Sequence, residues 1–390
     1  MQPDAVDRSF SRLVVALTFV SFMVSATTRM LETLMPPIAE GLGANLLDMG
    51  IVIAAFSIGY GVIQPLTALL ADRYGKLRLI SSFMLTAGFL TWLAASSNSV
   101  NQLALLRFLS GLSLGACIAL SLAYIGEFVV FEKRQGVISQ FLTGILLGQI
   151  FGASFAGLLS ESMSWREVFN VFGVLTSVSG AVLAVLLVLR QANDSQTSTK
   201  VGPGIYLKII TAKSAQPILL VGLLEGAFFF SAFAFVASFL RDRQNWDYLS
   251  IGLIMTGYGV GGAVYALLSR HICRMLNSRQ RILISGLMLS SAYFLFPWLT
   301  SKTSFFVCFA GIGFGFYMLH LILQTQATEM YPQARGAAMC MFALVIFIGQ
   351  SIGAPIFALM IHSLDYSVSY ALSAFLCLMF ALIFRRQQEH

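Results

Sequence analysis

SATTRMLETLMPPI, residues 25–38, sets Arg29 and Glu32 inside an apolar run that begins near Leu13. Whether that run is a soluble core helix or a membrane span decides the fold. In a bilayer an ionised side chain costs about 2.5–3.5 kcal/mol even by insertion scales, so it is kept for a partner or a function. Composition answers the first part. Hydrophobic residues make up 57% of the 390 and charged ones 11%, where a soluble domain has roughly 25% charged. Mean hydropathy is +0.82.

Working outward, similar runs recur along the whole chain, each of about 20 residues and so long enough to cross a ~30 Å hydrocarbon core. They lie at about 13–35, 47–70, 79–97, 102–125, 136–159, 167–189, 217–240, 248–269, 282–300, 303–327, 336–361 and 367–384. The reading is an all-α polytopic membrane protein with twelve transmembrane helices. The first run is too long for a signal-peptide core and has no clear cleavage site before the second, so it is expected to stay as a span.

Lys and Arg orient the spans. Of the 24, Arg29 and Arg107 lie within runs, and Arg166, Arg241, Arg243 and Lys302 fall in one set of connections. All the others fall in the opposite set or at the termini. Both termini are therefore expected in the cytoplasm, in a cell membrane of the bacterial inner-membrane kind. The net charge of +7 is this inside bias facing anionic lipid, and it excludes the nucleic-acid reading that a soluble basic protein would invite. Cys117, Cys273, Cys308, Cys340 and Cys377 are scattered with no CxxC pair. They read as small core residues, and neither metal nor cofactor is expected.

QANDSQTSTKVGPG, residues 191–204, is the longest polar stretch and divides the chain. It sets the expected boundaries: a six-helix bundle over 1–190, a cytoplasmic linker over 191–215 and a second bundle over 216–390. Across it the sequence repeats weakly. GQIFGA at 148–153 matches GQSIGA at 349–354, an offset of 201 residues, and Arg134 falls on Arg335 at the same offset. Six helices per half is an even number, so the halves enter the membrane alike, as parallel repeats about an axis along the membrane normal. Such a pair suits rocking around a central site.

Several motifs carry a family resemblance. ADRYGKLR (71–78) matches a GxxxDRxGRxR loop, with Ala68 at its first glycine; RFLSG (107–111) matches RxxxG; WREVF (165–169) matches WRxxF; and PPIAEGLG (36–43) closes the first span. Together they resemble the major facilitator superfamily, most closely its twelve-helix drug:proton antiporter branch. One departure stands out. GASFAG (152–157) has Ala153 and Ala156 where the antiporter motif has proline and glycine, although Gly144, Gly148 and Gly152 keep a smooth face for packing. The resemblance implies a conformational latch in Asp72, Arg73, Gly75, Lys76 and Arg78, with Glu127 and Glu132 as nearby acidic partners. It also implies a coupling role for Arg107.

Two stretches mimic enzyme motifs. GLSLG (111–115) fits GxSxG and GYGVGG (257–262) fits GxGxxG, but both need a strand-to-helix turn and both lie within spans. They read as helix-packing glycines, and the chain is not expected to be an enzyme. With no P-loop either, transport should run on an ion gradient.

The ionisable residues inside spans are Arg29, Glu32, Arg107, Glu225 and His320. Arg29 and Glu32 are three apart on one helix face and able to pair, as a structural pair or as part of a cavity. Glu225 has no cation within a helical turn and is the leading proton carrier, with Glu32, Arg107 and His320 as further coupling residues. Candidate substrate contacts are Arg29, Glu32, Tyr60, Gln64, Gln149, Tyr258, Tyr317, Gln324 and Gln350. The phenylalanines of 228–239 read as packing or lipid-facing surface. The expected function is proton-coupled export of small, rather apolar organic compounds, with proton, substrate and lipid as partners of a monomer. The alternative is proton-coupled import of an organic anion held by Arg29.

Overall fold

A computed structural model of the chain describes residues 3–129, 131–190 and 204–387. Twelve of the described helices are long and apolar enough to cross a membrane. They are α1 Arg12–Leu42, α2 Leu46–Leu66, α3 Lys76–Ala94, α4 Val100–Phe128, α5 Lys133–Leu159 and α6 Trp165–Leu189 in the first half. The second half has α7 Gln216–Gln244, α8 Tyr248–Met275, α9 Ser278–Trp298, α10 Lys302–Glu329, α11 Pro332–Leu364 and α12 Tyr366–Arg386. Polar side chains start many of them. Asn45 and Asp48 form a reciprocal cap on α2, as Asn277 and Gln280 do on α9, while Ser99, Asp247 and Ser301 cap α4, α8 and α10.

The second run ends at Leu66 rather than near 70. Pro65 withdraws a backbone donor, the chain tightens into a turn over Gln64–Leu66, and a short helix, Thr67–Tyr74, leads into the loop. Gly75 then adopts φ +82°, a left-handed conformation that a residue with a Cβ rarely takes. The side chains of Asp72 and Glu132 lie outside the described residues, as does 191–203 of the linker. Residues Gly204–Thr211 form a short helix whose Tyr206 hydroxyl donates to the Pro65 carbonyl at 2.7 Å, and Ser214 donates to the Met330 carbonyl at 2.9 Å. The last part of the linker thus touches both halves.

Two six-helix bundles result, and the repeat is visible in how they pack. On α5, Gly148 and Gly152 press against the backbone of Phe22 and Ala26 of α1. On α11, Gly349 and Gly353 press against Leu223 and Ala227 of α7, every residue 201 positions on. With no hydrophobic drive between helices in lipid, close backbone contact of this kind supplies the packing energy. The two enzyme-like motifs do the same work. Gly111 and Gly115 abut the carbonyls of Phe56 and Tyr60, and Gly257 and Gly261 abut those of Phe306 and Ala310.

The bundles meet along two seams. Helix α2 packs on α11, where Gly50 lies against Ala354 and Pro355, and the rings of Tyr60 and Phe347 are 4.3 Å apart. Helix α5 packs on α8 in its half remote from the linker, where Gly157 meets Tyr248 and Gly252. At that remote end Glu161 accepts the Leu249 amide at 2.9 Å, and Glu40 receives the Tyr248 hydroxyl at 3.5 Å and lies 3.8 Å from Arg241. These contacts close the molecule there.

Candidate substrate cavity

Between the bundles lies a cavity of about 450 Å³, within the range of small-molecule sites. Its walls come from α1, α2, α4, α5, α7, α8, α10 and α11; among the described residues none from α3, α6, α9 or α12 contributes. It runs from the level of Arg29 and Phe230 toward the linker end, where its wall residues Leu142 and Leu321 are exposed.

Helix spacing builds each wall. On α10, Phe316, Tyr317, His320, Leu321 and Gln324 follow at steps of one and three residues that keep to one helix face, and Leu142, Ile145, Leu146 and Gln149 do so on α5. Helix α7 reaches the cavity differently. It widens into a π-helical turn over Glu225–Phe230, a local distortion frequent at functional sites. Gly226 in that turn fits against the Ile346 carbonyl of α11.

Two charged pairs face this space. Arg29 Nη1 donates to Glu32 Oε1 at 2.6 Å, so the two residues of the opening stretch do pair. The guanidinium also lies over Phe233 at 4.8 Å, Tyr258 at 5.2 Å and Phe230 at 5.7 Å, three rings of the other bundle. Glu32 Oε2 is buried without a hydrogen-bond partner. The second pair joins α10 to α7: His320 Nδ1 is 3.0 Å from both Oε1 and Oε2 of Glu225. His320 stands on the cavity wall stacked on Phe316, and Glu225 lies behind it, 1% exposed. The two bundles also touch directly where Gln149 Nε2 donates to Tyr317 Oη at 3.1 Å, leaving Gln149 Oε1 without a partner.

Of the candidate substrate contacts, Arg29, Glu32, Gln149, Tyr258, Tyr317, Gln324 and Gln350 line the cavity. Tyr60 and Gln64 do not. Tyr60 is buried in the α2–α11 seam against Phe347, and Gln64 spends its amide on the Gly115 carbonyl at 2.8 Å. Arg107 is completely buried one layer back, over the Phe56 ring at 4.2 Å, with no partner for Nε, Nη1 or Nη2. Glu225 does have a basic partner, the His320 imidazole on another helix 95 residues away. The 228–239 phenylalanines are mostly buried packing, but Phe230 belongs to the cavity wall, a role the sequence reading missed. The helical stripe on α10 was the signal available for Phe316 and its neighbours. In the loop, Lys76 Nζ bonds Glu127 Oε2 at 2.9 Å, while Arg73 and Arg78 stand beside Tyr74 and Leu79 around a shallow surface recess.

Comparison with known proteins agrees with this architecture. The family profile described as Major Facilitator Superfamily matches residues 17–354. An uncharacterized MFS-type transporter, YtbD, of Bacillus subtilis is 21% identical over 64% of this chain and 62% of its own length. The multidrug export protein EmrB of Escherichia coli is 25% identical over 53% of this chain and 40% of its own, and the quinolone resistance protein NorA of Staphylococcus aureus is 24% identical over 66% of each. The chain thus spans well under the full length of these relatives. Among solved structures, the nucleoside transporter NupG superposes with a TM-score of 0.76 at 14% identity, covering 97% of this chain and 99% of that one. A D-xylose-proton symporter gives 0.76 at 14% identity over 96% of each. With the profile spanning most of the chain and the fold matching over nearly all of it, this protein belongs to the major facilitator superfamily.

Proposed function

We propose that this chain is a proton-coupled exporter of small, largely apolar organic compounds, working by alternating access between its two bundles. The observation that carries the reading is the Glu225–His320 pair, a buried carboxylate held by an imidazole on the wall of the inter-bundle cavity. Histidine changes charge within the physiological range, and its contact with Glu225 gives a proton two adjoining sites at the substrate's side. Two relatives bear export or resistance names, which supports the outward direction.

In this reading the two bundles follow the boundaries 1–190 and 216–390, and the protein acts as a monomer in a cell membrane with the linker end and both termini in the cytoplasm. The cavity then faces inward, and the contacts of Glu40 and Glu161 close the outer side. The Asp72–Arg78 loop acts as the inner latch, with the Lys76–Glu127 bond as one of its contacts. Import of an organic anion on Arg29 is the second reading, resting on Arg29's place in the cavity wall. Its weakness is that Glu32 already occupies that guanidinium.

The test uses proteoliposomes with an imposed pH gradient. Accumulation against the gradient of substrate by the wild type, and its loss in Glu225→Gln with binding retained, supports the reading. Unchanged gradient-driven accumulation in that variant removes it.

A further inference from the structure

The cavity wall also says something about what it accepts. Among the described residues, the two basic side chains on the wall each already face a carboxylate, Arg29 with Glu32 and His320 with Glu225. A carboxylate ligand could reach Arg29 only by displacing Glu32, which would leave a buried charge without a partner, a strongly unfavourable exchange. What the wall leaves unmet among the described residues, besides the Ser57 hydroxyl that can donate or accept, is the opposite kind of group. Glu32 Oε2 and Gln149 Oε1 are acceptors, closed off from water and without a donor. A buried acceptor left unpaired is costly, and a ligand that brings a donor removes the cost. Around them the edges of Phe230, Tyr258 and Phe316 form an apolar wall against which an aromatic ring can pack.

We infer that the cavity binds aromatic compounds carrying N–H or O–H donors, with Gln149 and Glu32 reading the donors, and that it discriminates against aromatic carboxylates. This deepens the transport reading and rests on the cavity being its substrate site. Gln149 has a further part. Its amide bonds Tyr317 across the bundles, so a ligand donor that turns Gln149 also loosens that bridge.

The experiment is fluorescence binding to the purified protein in detergent, using three probes on one ring system: 9-aminoacridine, acridine and acridine-9-carboxylate. We expect 9-aminoacridine to bind about tenfold or more tightly than acridine, since one buried hydrogen bond is worth roughly that factor, and the carboxylate to bind most weakly. Gln149→Leu should weaken 9-aminoacridine about tenfold more than it weakens acridine, and an equal loss for both overturns the donor role of Gln149. The ranking on the wild type needs no variant to fold. A carboxylate bound as well as the amine overturns the inference, as does a cavity that binds none of the three. Replacing 9-aminoacridine by 9-hydroxymethylacridine separates charge from donor capacity: binding tighter than acridine upholds the donor, and binding no better than acridine overturns its generality. Because none of this uses a gradient, failure of the ranking and failure of proton coupling are read separately.

Discussion

His320 Nδ1 lies equidistant, at 3.0 Å, from the two carboxylate oxygens of Glu225, linking α10 to the π-helical turn of α7. One proton placed between them serves either group. Glu225→Gln should therefore cut gradient-driven transport at least ~tenfold while leaving substrate affinity within about threefold, because coupling is lost and the cavity wall is kept. His320→Ala should lower the melting temperature as well, since it strands a carboxylate that is 1% exposed. Transport and thermal melting measured on the two variants distinguish proton carriage from packing.

Arg29 and Glu32 call for a double-mutant cycle. Arg29→Ala leaves Glu32 buried and unpaired, and breaking such a pair typically costs about 3–5 kcal/mol. The double change with Glu32→Ala should recover most of that loss. Melting temperatures across the four proteins give the coupling energy directly; equal losses in the single and double variants would show that the rings of Phe230, Phe233 and Tyr258, not Glu32, hold the guanidinium in place.

At the remote end, Glu161 accepts an amide at the start of α8 from across the bundle boundary, and Glu40 meets Tyr248 and Arg241. Glu40→Ala with Glu161→Ala should enlarge the population open at that end, by about tenfold if the contacts together are worth ~1.4 kcal/mol. Labelling rates of a cysteine placed at Ser154, beside Gly252 in the seam, would rise accordingly, and unchanged rates would assign closure to the glycine seam alone.

Asp247 caps α8 and has a pH signature. Burial works against its charge, but hydrogen bonds from Ser250 and the nearby Lys302 ammonium outweigh it and hold the carboxyl down at about 2 from its ordinary 3.8. Its stabilisation is thus present above the ordinary value and is lost as pH falls from about 4 to 2. The side chain is 44% exposed, so water screens the effect to about 1 kcal/mol or less. The melting-temperature difference between wild type and Asp247→Asn should shrink over that window.

Two glycines make opposite forecasts. A side chain at Gly148 would run into the Phe22 carbonyl, whereas a Cβ at Gly126 meets nothing within 4 Å. Gly148→Val should prise α5 from α1 and reduce the folded yield severely. Gly126→Ala should be neutral or stabilise by up to ~1 kcal/mol, the helix-propensity gain. Size-exclusion profiles and melting of both variants check the contrast.

These glycines show why so much of the fold was legible. Span length, the side bias of Lys and Arg, and small residues at four-residue spacing are local properties, and a one-dimensional reading recovers them. The close-packing face of α5 was marked by Gly144, Gly148 and Gly152, and GQSIGA repeats it on α11, although the helices that these faces meet were not named by the sequence. The site was legible in residue type and much less in partnership. Arg29 and Glu32 are neighbours in sequence, so their pairing was open to inference. Glu225 and His320 are on different helices, and nothing local to either names the other. Tyr60 and Gln64 failed for a related reason: a polar residue in a span can be satisfied by a seam or a carbonyl as readily as by a cavity, and only the rotation of α2 decides.

Matching each cavity cation with its own carboxylate has an electrical consequence. With His320 protonated, the empty site carries no net fixed charge, so the charge moved per cycle is set by the passengers alone. Exchanging one proton for a neutral molecule moves one elementary charge, which a membrane potential drives with about 2.3 kcal/mol per 100 mV. Exchanging one proton for a monovalent amine moves none. Neutral compounds would then be expelled on voltage and pH gradient together, and amines on the pH gradient only.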